Sequence, residues 1–589
     1  MGFEGASYHD VMFKAAHNSE EHRERLAEQL AWDERRPWQG GCSGLELDVA
    51  QDGQAWRWSV SHDRYTDRAE RQLGAYLDEL RGWSDAHPEH RVITVVLDLK
   101  SGVRDGAAFA AAFDDYIARS FPVERLYTPG QLMGSAPDLV TGAMRGGWPS
   151  LAALRGRFIF CLSGDAPGRW MDDLKETYAA TEAGRRLCFA DRRLSEHGQR
   201  PSTAAGRRVF CNFDFQRVQD WGDETIEWFH RQRGFITRGY LANDARLWGM
   251  ALGRGVNVIA TDRIQGHDWA TVGSTPFWPV PRVFWGVETA LDALTASAPA
   301  LAAVAGRLYL AYRGGASTRL HVRAGDGRSW EPGELLADKQ GAATSAAPAL
   351  AVLGGRLALV YRDAGSSALW LARYDGQAWE APRNITQENG ARTDAAPALA
   401  ALDERLHLVY RGATDSDLWH CQYDGQAWSA PRSITADTGA RTATAPALAA
   451  LGGRLHLVYR GDRTPDLCDL TYDGTRWSTP RSLTEINGAR TARAPALAAL
   501  GDVLHVLYQG QGSTDVWTCC GRDGEWSGQV CVSALNQAGA MDGLGAAALG
   551  DTLCVVARAR ALGDMYGFTL GPVSEVAEMS ASGEQTPQP

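Results

Sequence analysis

The chain has 589 residues, too many for a single hydrophobic core, so two or more domains are expected. With 44% hydrophobic and 22% charged residues and a mean hydropathy of -0.30, its composition is that of an ordinary globular protein. The formal net charge of -11 argues against a general nucleic-acid binder, and the sequence lacks the apolar run of about 18 residues that marks a membrane-spanning helix.

The opening segment MGFEGASYHDVMFKAAHN has neither the basic start nor the continuous apolar core of a secretory signal. The cytoplasm, or export by another route or with a removed leader, both fit it. Up to about residue 275, strand-like runs alternate with longer amphipathic stretches. In chain order the strands are VMFKAA, GLELDVA, RWSVS, ITVVLDL, FIFCLS, RVFCNF, FITRGY and VNVIAT. Helical patterns such as GAYLDELRGWSDAH and DGAAFAAAFDDYIARSF lie between them. Eight strands with helical connections predict an α/β TIM-like (β/α)8 barrel over residues 1–275. An open doubly wound sheet is the fallback, although no GxGxxG motif opens the chain.

From residue 276 the sequence is periodic. Pro299, Pro348, Pro397, Pro446 and Pro495 recur every 49 residues, as do Trp330, Trp379, Trp428, Trp477 and Trp526. Tyr312, Tyr361, Tyr410, Tyr459 and Tyr508 keep the same step. Each unit holds four short strand-like runs punctuated by Gly, Asp or Asn, the pattern of a β-propeller blade. A sixth unit begins near Leu544 and keeps three strands, so an all-β, six-bladed propeller is expected over 276–572. Its missing strand has an upstream candidate, Trp278 to Arg282, which reads like Trp379 to Arg383 and would cover the open sheet edge. The polar tail 573–589 reads as disordered. The ten cysteines form no CxxC pair, and several sit in apolar runs, where buried free thiols are expected. His9, His22, His87 and His90 lie in polar stretches and are expected to be solvated.

In the first half the polar residues cluster at predicted strand ends. His17 and Asn18 follow VMFKAA, Glu46 and Asp48 lie in GLELDV, and His62 follows RWSVS. Asp98 and Lys100 end ITVVLDLK, Arg238 lies in FITRG, and Asp262 follows VNVIA. The C-terminal strand ends are where reactive groups converge in such a barrel. Glu46 and Asp48 are two apart and so share a strand face, where two carboxylates call for a cation or another partner. With Asn18 and Asp98 they make an all-oxygen set suited to Ca²⁺, or Mg²⁺, rather than zinc. His17 and His62 could exchange protons as base and acid, and Lys100 and Arg238 could hold a phosphate or a sugar headgroup. Asp262 reads equally well as a helix cap.

The segments AHNSEEH, GLELDV, WSVSHD, YLDELRGWSDAHPEHRVITVVLDLK, WPSLAALRGRFIF and VIATDRI resemble, in order, the calcium-dependent phosphoinositide-specific phospholipase C family of bacteria. The resemblance spans about residues 10–270. It implies a barrel that cleaves phosphatidylinositol at a membrane surface through a cyclic phosphate. His17 and His62 would then be the acid/base pair, Asn18, Glu46, Asp48 and Asp98 the metal ligands, and Lys100 and Arg238 the substrate contacts. Three positions depart from the family pattern. Glu20 stands where an aromatic residue is expected after HNS, GGCSG where an arginine-bearing turn is usual, and Asp98 where a glutamate is expected.

The propeller repeats resemble lectin-like and sialidase-like propellers. The pairs Tyr312-Arg313, Tyr361-Arg362, Tyr410-Arg411 and Tyr459-Arg460 invite either glycan binding or a packing role. The competing functions are a glycerophosphodiester phosphodiesterase or sphingomyelinase D-like enzyme on the same barrel, and a non-enzymatic lectin-like adhesin or toxin component.

Overall fold

The computed structural model describes residues 3–52, 56–101, 106–164, 170–180, 183–194, 206–217, 226, 228–229, 234–336, 341–536, 541–559 and 563–572. The chain divides into two units, Met1–Pro281 and Arg282–Pro589.

The first unit is a closed barrel. Its strands are β1 (Val11–Ala16), β2 (Gly44–Gln51), β3 (Trp58–Val60), β4 (Ile93–Leu99), β5 (Phe158–Ser163), β6 (Phe189–Arg193), β7 (Phe210–Asp214), β8 (Ile236–Tyr240), β9 (Val258–Thr261) and β10 (Phe277–Pro279). Eight of them run parallel in the ring order β1-β2-β4-β5-β6-β7-β8-β9, and β9 returns to β1. The ring closes where Ala15 pairs with Gly44. A Cβ on Gly44 would lie 2.7 Å from the Ala15 Cβ, so this seam needs a glycine.

Strands of a parallel barrel are buried on both faces, and a period of two sorts their side chains. Leu45, Leu47 and Val49 point outward and join Val95, Leu97 and Leu99 against the outer helices. Helices Leu73–Ala86 and Gly106–Ser120 meet them with Leu73, Leu77, Leu80, Phe109 and Phe113, each fully buried. The alternate residues Glu46, Asp48 and Asp98 are left for the lumen. The apolar shell thus fixes which face the carboxylates occupy.

Two expectations about the strands are corrected. RWSVS is not a barrel stave, because β3 pairs antiparallel with β2 outside the ring. The eighth stave is β6, whose sequence Phe-Ala-Asp-Arg-Arg hides a strand behind charge; it pairs parallel with β5 and β7.

The second unit is a six-bladed propeller. Each of the first five blades is an antiparallel sheet, beginning with Ala300–Val304, Arg307–Arg313, Leu320–Gly325 and Glu334–Leu335. The innermost strands Ala300–Val304, Ala349–Leu353, Ala398–Leu402, Ala447–Leu451, Ala496–Leu500 and Met541–Leu549 neighbour one another in a closed circle. The last blade holds Met541–Leu549, Thr552–Ala559 and Asp564–Pro572. Its edge is covered by Val283–Trp285 and Thr289–Leu294, both antiparallel to Asp564–Pro572. Closure by an upstream strand therefore occurs, but not through Trp278 to Arg282: Trp278 pairs with Met12 as part of β10 against β1.

The repeated Tyr-Arg pairs have a packing role. Tyr361, Tyr410 and Tyr459 are buried. Arg313, Arg362, Arg411 and Arg460 donate to the backbone carbonyls of Ser345, Asp394, Ala443 and Thr491, tying each blade to the start of the next. All ten cysteines are free thiols, eight of them buried. His90 is buried rather than solvated, bonded to the Ser84 hydroxyl and the Arg91 carbonyl. No helix among the described residues is long and apolar enough to cross a membrane. The tail 573–589 lies outside the described residues.

Candidate active site

The C-terminal ends of β1, β2, β4, β8 and β9 bring the predicted residues together. Ligand atoms of Glu46, Asp48 and Asp98 all lie within 4.8 Å of one another. Asp48 and Asp98 are direct partners in the β2–β4 register, so neighbouring parallel strands place their carboxylates side by side.

Each carboxylate has a distinct partner. Glu46 accepts from Arg238 Nη2 at 2.6 Å. Asp48 bonds His62 Nδ1 through Oδ2 at 2.5 Å, and its Oδ1 lies 3.1 Å from Lys100 Nζ. Asp98 accepts from Lys100 at 2.5 Å. Burial raises the Asp48 pKa, and the charges of Asp98 and Glu46 add to it against the pull of Lys100 and His62. Asp98 moves the other way. Burial opposes its charge, but Lys100, Arg238 and a hydrogen bond from Ser163 prevail and lower its pKa.

His17 leaves β1 into this cluster. Its Nδ1 meets Asp262 Oδ1 at 2.7 Å, and its Nε2 lies 3.8 Å from Glu46 Oε2. The ring stacks on Tyr240 with a centroid separation of 5.5 Å and an angle of 8°. Burial works against protonation, yet the Asp262 bond and the nearby Glu46 charge leave the His17 pKa above its ordinary value. Asp262 is itself held by Asn243. Asn18 adopts a left-handed conformation with φ 49°, and its backbone N–H points at Glu46 Oε2 at 3.4 Å. His62 is the exposed partner of the pair, with 57% of its side chain accessible. Arg238 is buried and donates to Asn212 Oδ1 at 2.9 Å as well as to Glu46, so its guanidinium is held inside the cluster. Lys100 is 20% exposed at the rim.

The residues that sequence reasoning passed over are Tyr240, Asn212, Asn243 and, as a site member, Glu20. Tyr240 and Asn212 lie in FITRGY and RVFCNF, at or near strand ends, which was the available signal. Glu20 belongs to the 3-10 turn Ser19–Glu21, pinned to β2 because the Glu46 backbone N–H donates to Ser19 Oγ. Burial, together with the charges of Asp48 and Glu46, pushes the Glu20 carboxyl up to about 8. The donors facing the lumen are oxygens, and the buried Glu20 oxygens have no hydrogen-bond partner. That chemistry fits a hard divalent cation and not a thiophilic one.

Residues 62–197 match the family model described as Phosphoinositide phospholipase C, Ca2+-dependent, in agreement with the resemblance read from the sequence. The match includes His62, Asp98 and Lys100, and calcium is that family's cation. Among solved structures, the chain is similar to a calcium-dependent phosphoinositol-specific phospholipase C from Pseudomonas sp., with 20% identity, 47% of this chain and 97% of that one covered, and a TM-score of 0.37. A Ca2+-dependent phosphatidylinositol-specific phospholipase C from Streptomyces antibioticus shares 20% identity over 44% of this chain and 94% of its own, with a TM-score of 0.35. The six-bladed Aleuria aurantia lectin shares 18% identity over 40% of this chain and 79% of its own, with a TM-score of 0.33. No curated protein matches the chain in sequence.

Proposed function

We propose that the barrel cleaves phosphatidylinositol-type phospholipids by intramolecular attack. The reading rests on one observation: ligand atoms of three carboxylates within 4.8 Å of one another, with His62 bonded to Asp48 and the His17 Nε2 3.8 Å from Glu46. In this account Glu46, Asp48, Asp98 and Asn18 hold the cation. Bound calcium lowers the pKa of the attacking hydroxyl and offsets the charge developing on phosphate.

His17 acts as the base. Asp262 fixes the proton on Nδ1, so Nε2 is free to take the proton of the inositol 2-hydroxyl. The hydroxyl oxygen forms a bond to phosphorus as the bond from phosphorus to the glycerol oxygen breaks. His62, exposed at the rim, gives its proton to that leaving oxygen, releasing diacylglycerol and a cyclic inositol phosphate. Asp262 and Glu46 stabilise the imidazolium formed at His17. Lys100 offers a cation to the phosphate from its partly exposed position. Water can then open the cyclic ester with the two histidines exchanging roles.

The propeller is read as a module for surface glycans. A cleft of about 930 Å³ between the first and last blades is lined by Asp292, Tyr312, His321, Arg323, Asp564 and Tyr566 among others. Its Tyr312 and His321 rings stack at 5.1 Å, giving an aromatic platform beside polar groups. A glycan array of the full chain tests this part, and an array without signal removes it.

The catalytic reading is tested by incubating the chain with phosphatidylinositol, sphingomyelin and glycerophosphocholine, with calcium present or chelated. Diacylglycerol and cyclic inositol phosphate from the first alone support it. Turnover of sphingomyelin or glycerophosphocholine in its place would transfer the same barrel to a different phosphodiester. Loss of turnover in His17→Ala and His62→Ala ties the activity to this site.

A further inference from the structure

We propose that Glu20 is a cation-site residue of this chain, supplying a fourth carboxylate to the ion's shell directly or through a coordinated water; this rests on the metal reading above. Glu20 stands where the resembling family is expected to carry an aromatic residue, so the role is particular to this sequence.

Position is the first argument. The turn Ser19–Glu21 is anchored on two sides: Ser19 Oγ accepts from the backbone of Glu46, and the Ser19 carbonyl accepts from Gln29 Nε2 at 2.8 Å. Glu20 is thereby held on the turn that adjoins the lumen carboxylates, and the charges of Asp48 and Glu46 act on its carboxyl. Its two oxygens are shut off from solvent and lack a hydrogen-bond partner among the described residues. A buried carboxylate left in that state is costly unless a cation joins it.

Charge balance is the second argument. Glu46 is matched by Arg238, while Asp48 and Asp98 share Lys100. With Glu20 ionised, as a bound cation would favour, the cluster sets four carboxylates against two permanent cations, which leaves two negative charges. His62 offsets one of them only when protonated. One divalent ion closes the balance. Calcium accepts 6–8 oxygen ligands, more than three carboxylates and an amide supply with one oxygen each, and ligand charge tunes its affinity.

The test is calcium binding to the full chain by isothermal titration, with thermal unfolding as a second readout. Glu20→Gln keeps the shape and removes the charge. Its calcium Kd is expected to rise about tenfold or more. The calcium-induced rise in Tm should shrink. Glu20→Asp, a carboxylate on a shorter stem, should fall between the two and keeps the test decisive if Glu20→Gln folds poorly. A Kd unchanged within about twofold in Glu20→Gln, or in Glu20→Asp if only that variant folds, overturns the assignment while leaving the metal site intact. A parent chain that binds no calcium overturns both.

Discussion

Asp262→Asn is the substitution that isolates the orientation of His17. The bond between His17 Nδ1 and Asp262 Oδ1 is 2.7 Å long, and the Asp262 side chain is 37% exposed. Hydrogen bonds to charged groups contribute about 1.5–3 kcal/mol, and solvent screening selects the low end here, about 1.5 kcal/mol. Losing that bond should lower the His17 pKa. In the parent its pKa lies above the ordinary value of about 6.5, so the acid limb of kcat/KM begins above that pH and should move down in the variant. Turnover above the limb should nonetheless drop about 10²-fold or more, because an asparagine amide that donates to Nδ1 drives the imidazole proton onto Nε2, where the base is needed. The linkage has the same sign. A raised folded-state pKa stabilises the parent below about pH 6.5, and that stability is lost as pH rises through the folded value. The Tm difference between parent and variant should therefore be largest at acid pH and narrow toward pH 8. The assays are an NMR titration of the His17 ring and the pH profile of phosphatidylinositol turnover. An unchanged His17 titration with unchanged turnover would refute the Asp262–His17 arrangement.

Asp48→Asn removes the partner of both His62 and Lys100; turnover should fall by about 10²-fold or more, with weakened calcium binding on titration. Gly44→Ala forces a methyl to within 2.7 Å of the Ala15 Cβ at the barrel seam. It should cost about 1–3 kcal/mol in denaturant unfolding, and a neutral result would mean that the seam is looser than described. Leu291 is buried in the strand that covers the last blade. Leu291→Asp should destabilise the propeller by about 3 kcal/mol or more while phosphatidylinositol turnover persists, read by unfolding and activity side by side.

Glu46 and Asp48 were legible because two carboxylates spaced by two inside an apolar strand contradict its pattern. The 49-residue period made the blades equally plain. β6 escaped because Asp191 and the arginines at 192 and 193 interrupt its hydrophobic signal, and only pairing with β5 and β7 supports it as a strand. Asp262 reads identically in sequence whether it caps a helix or orients a histidine; the distance to His17 separates the two. The strand that closes the last blade was misplaced because local likeness to Trp379-Glu-Ala-Pro382-Arg383 carries no information about register. The pairing of Val11, Met12 and Phe13 with Pro279, Trp278 and Phe277 decides it. Glu20 was visible only as a departure from a family pattern, since its meaning depends on carboxylates that arrive from β2.

The most direct test of the account is ³¹P NMR of the full chain acting on phosphatidylinositol vesicles, first with calcium and then with the chelator added. A cyclic inositol phosphate resonance that grows with calcium and stops on chelation is expected. A product that forms equally well with the ion removed would contradict the carboxylate cluster as the seat of the chemistry.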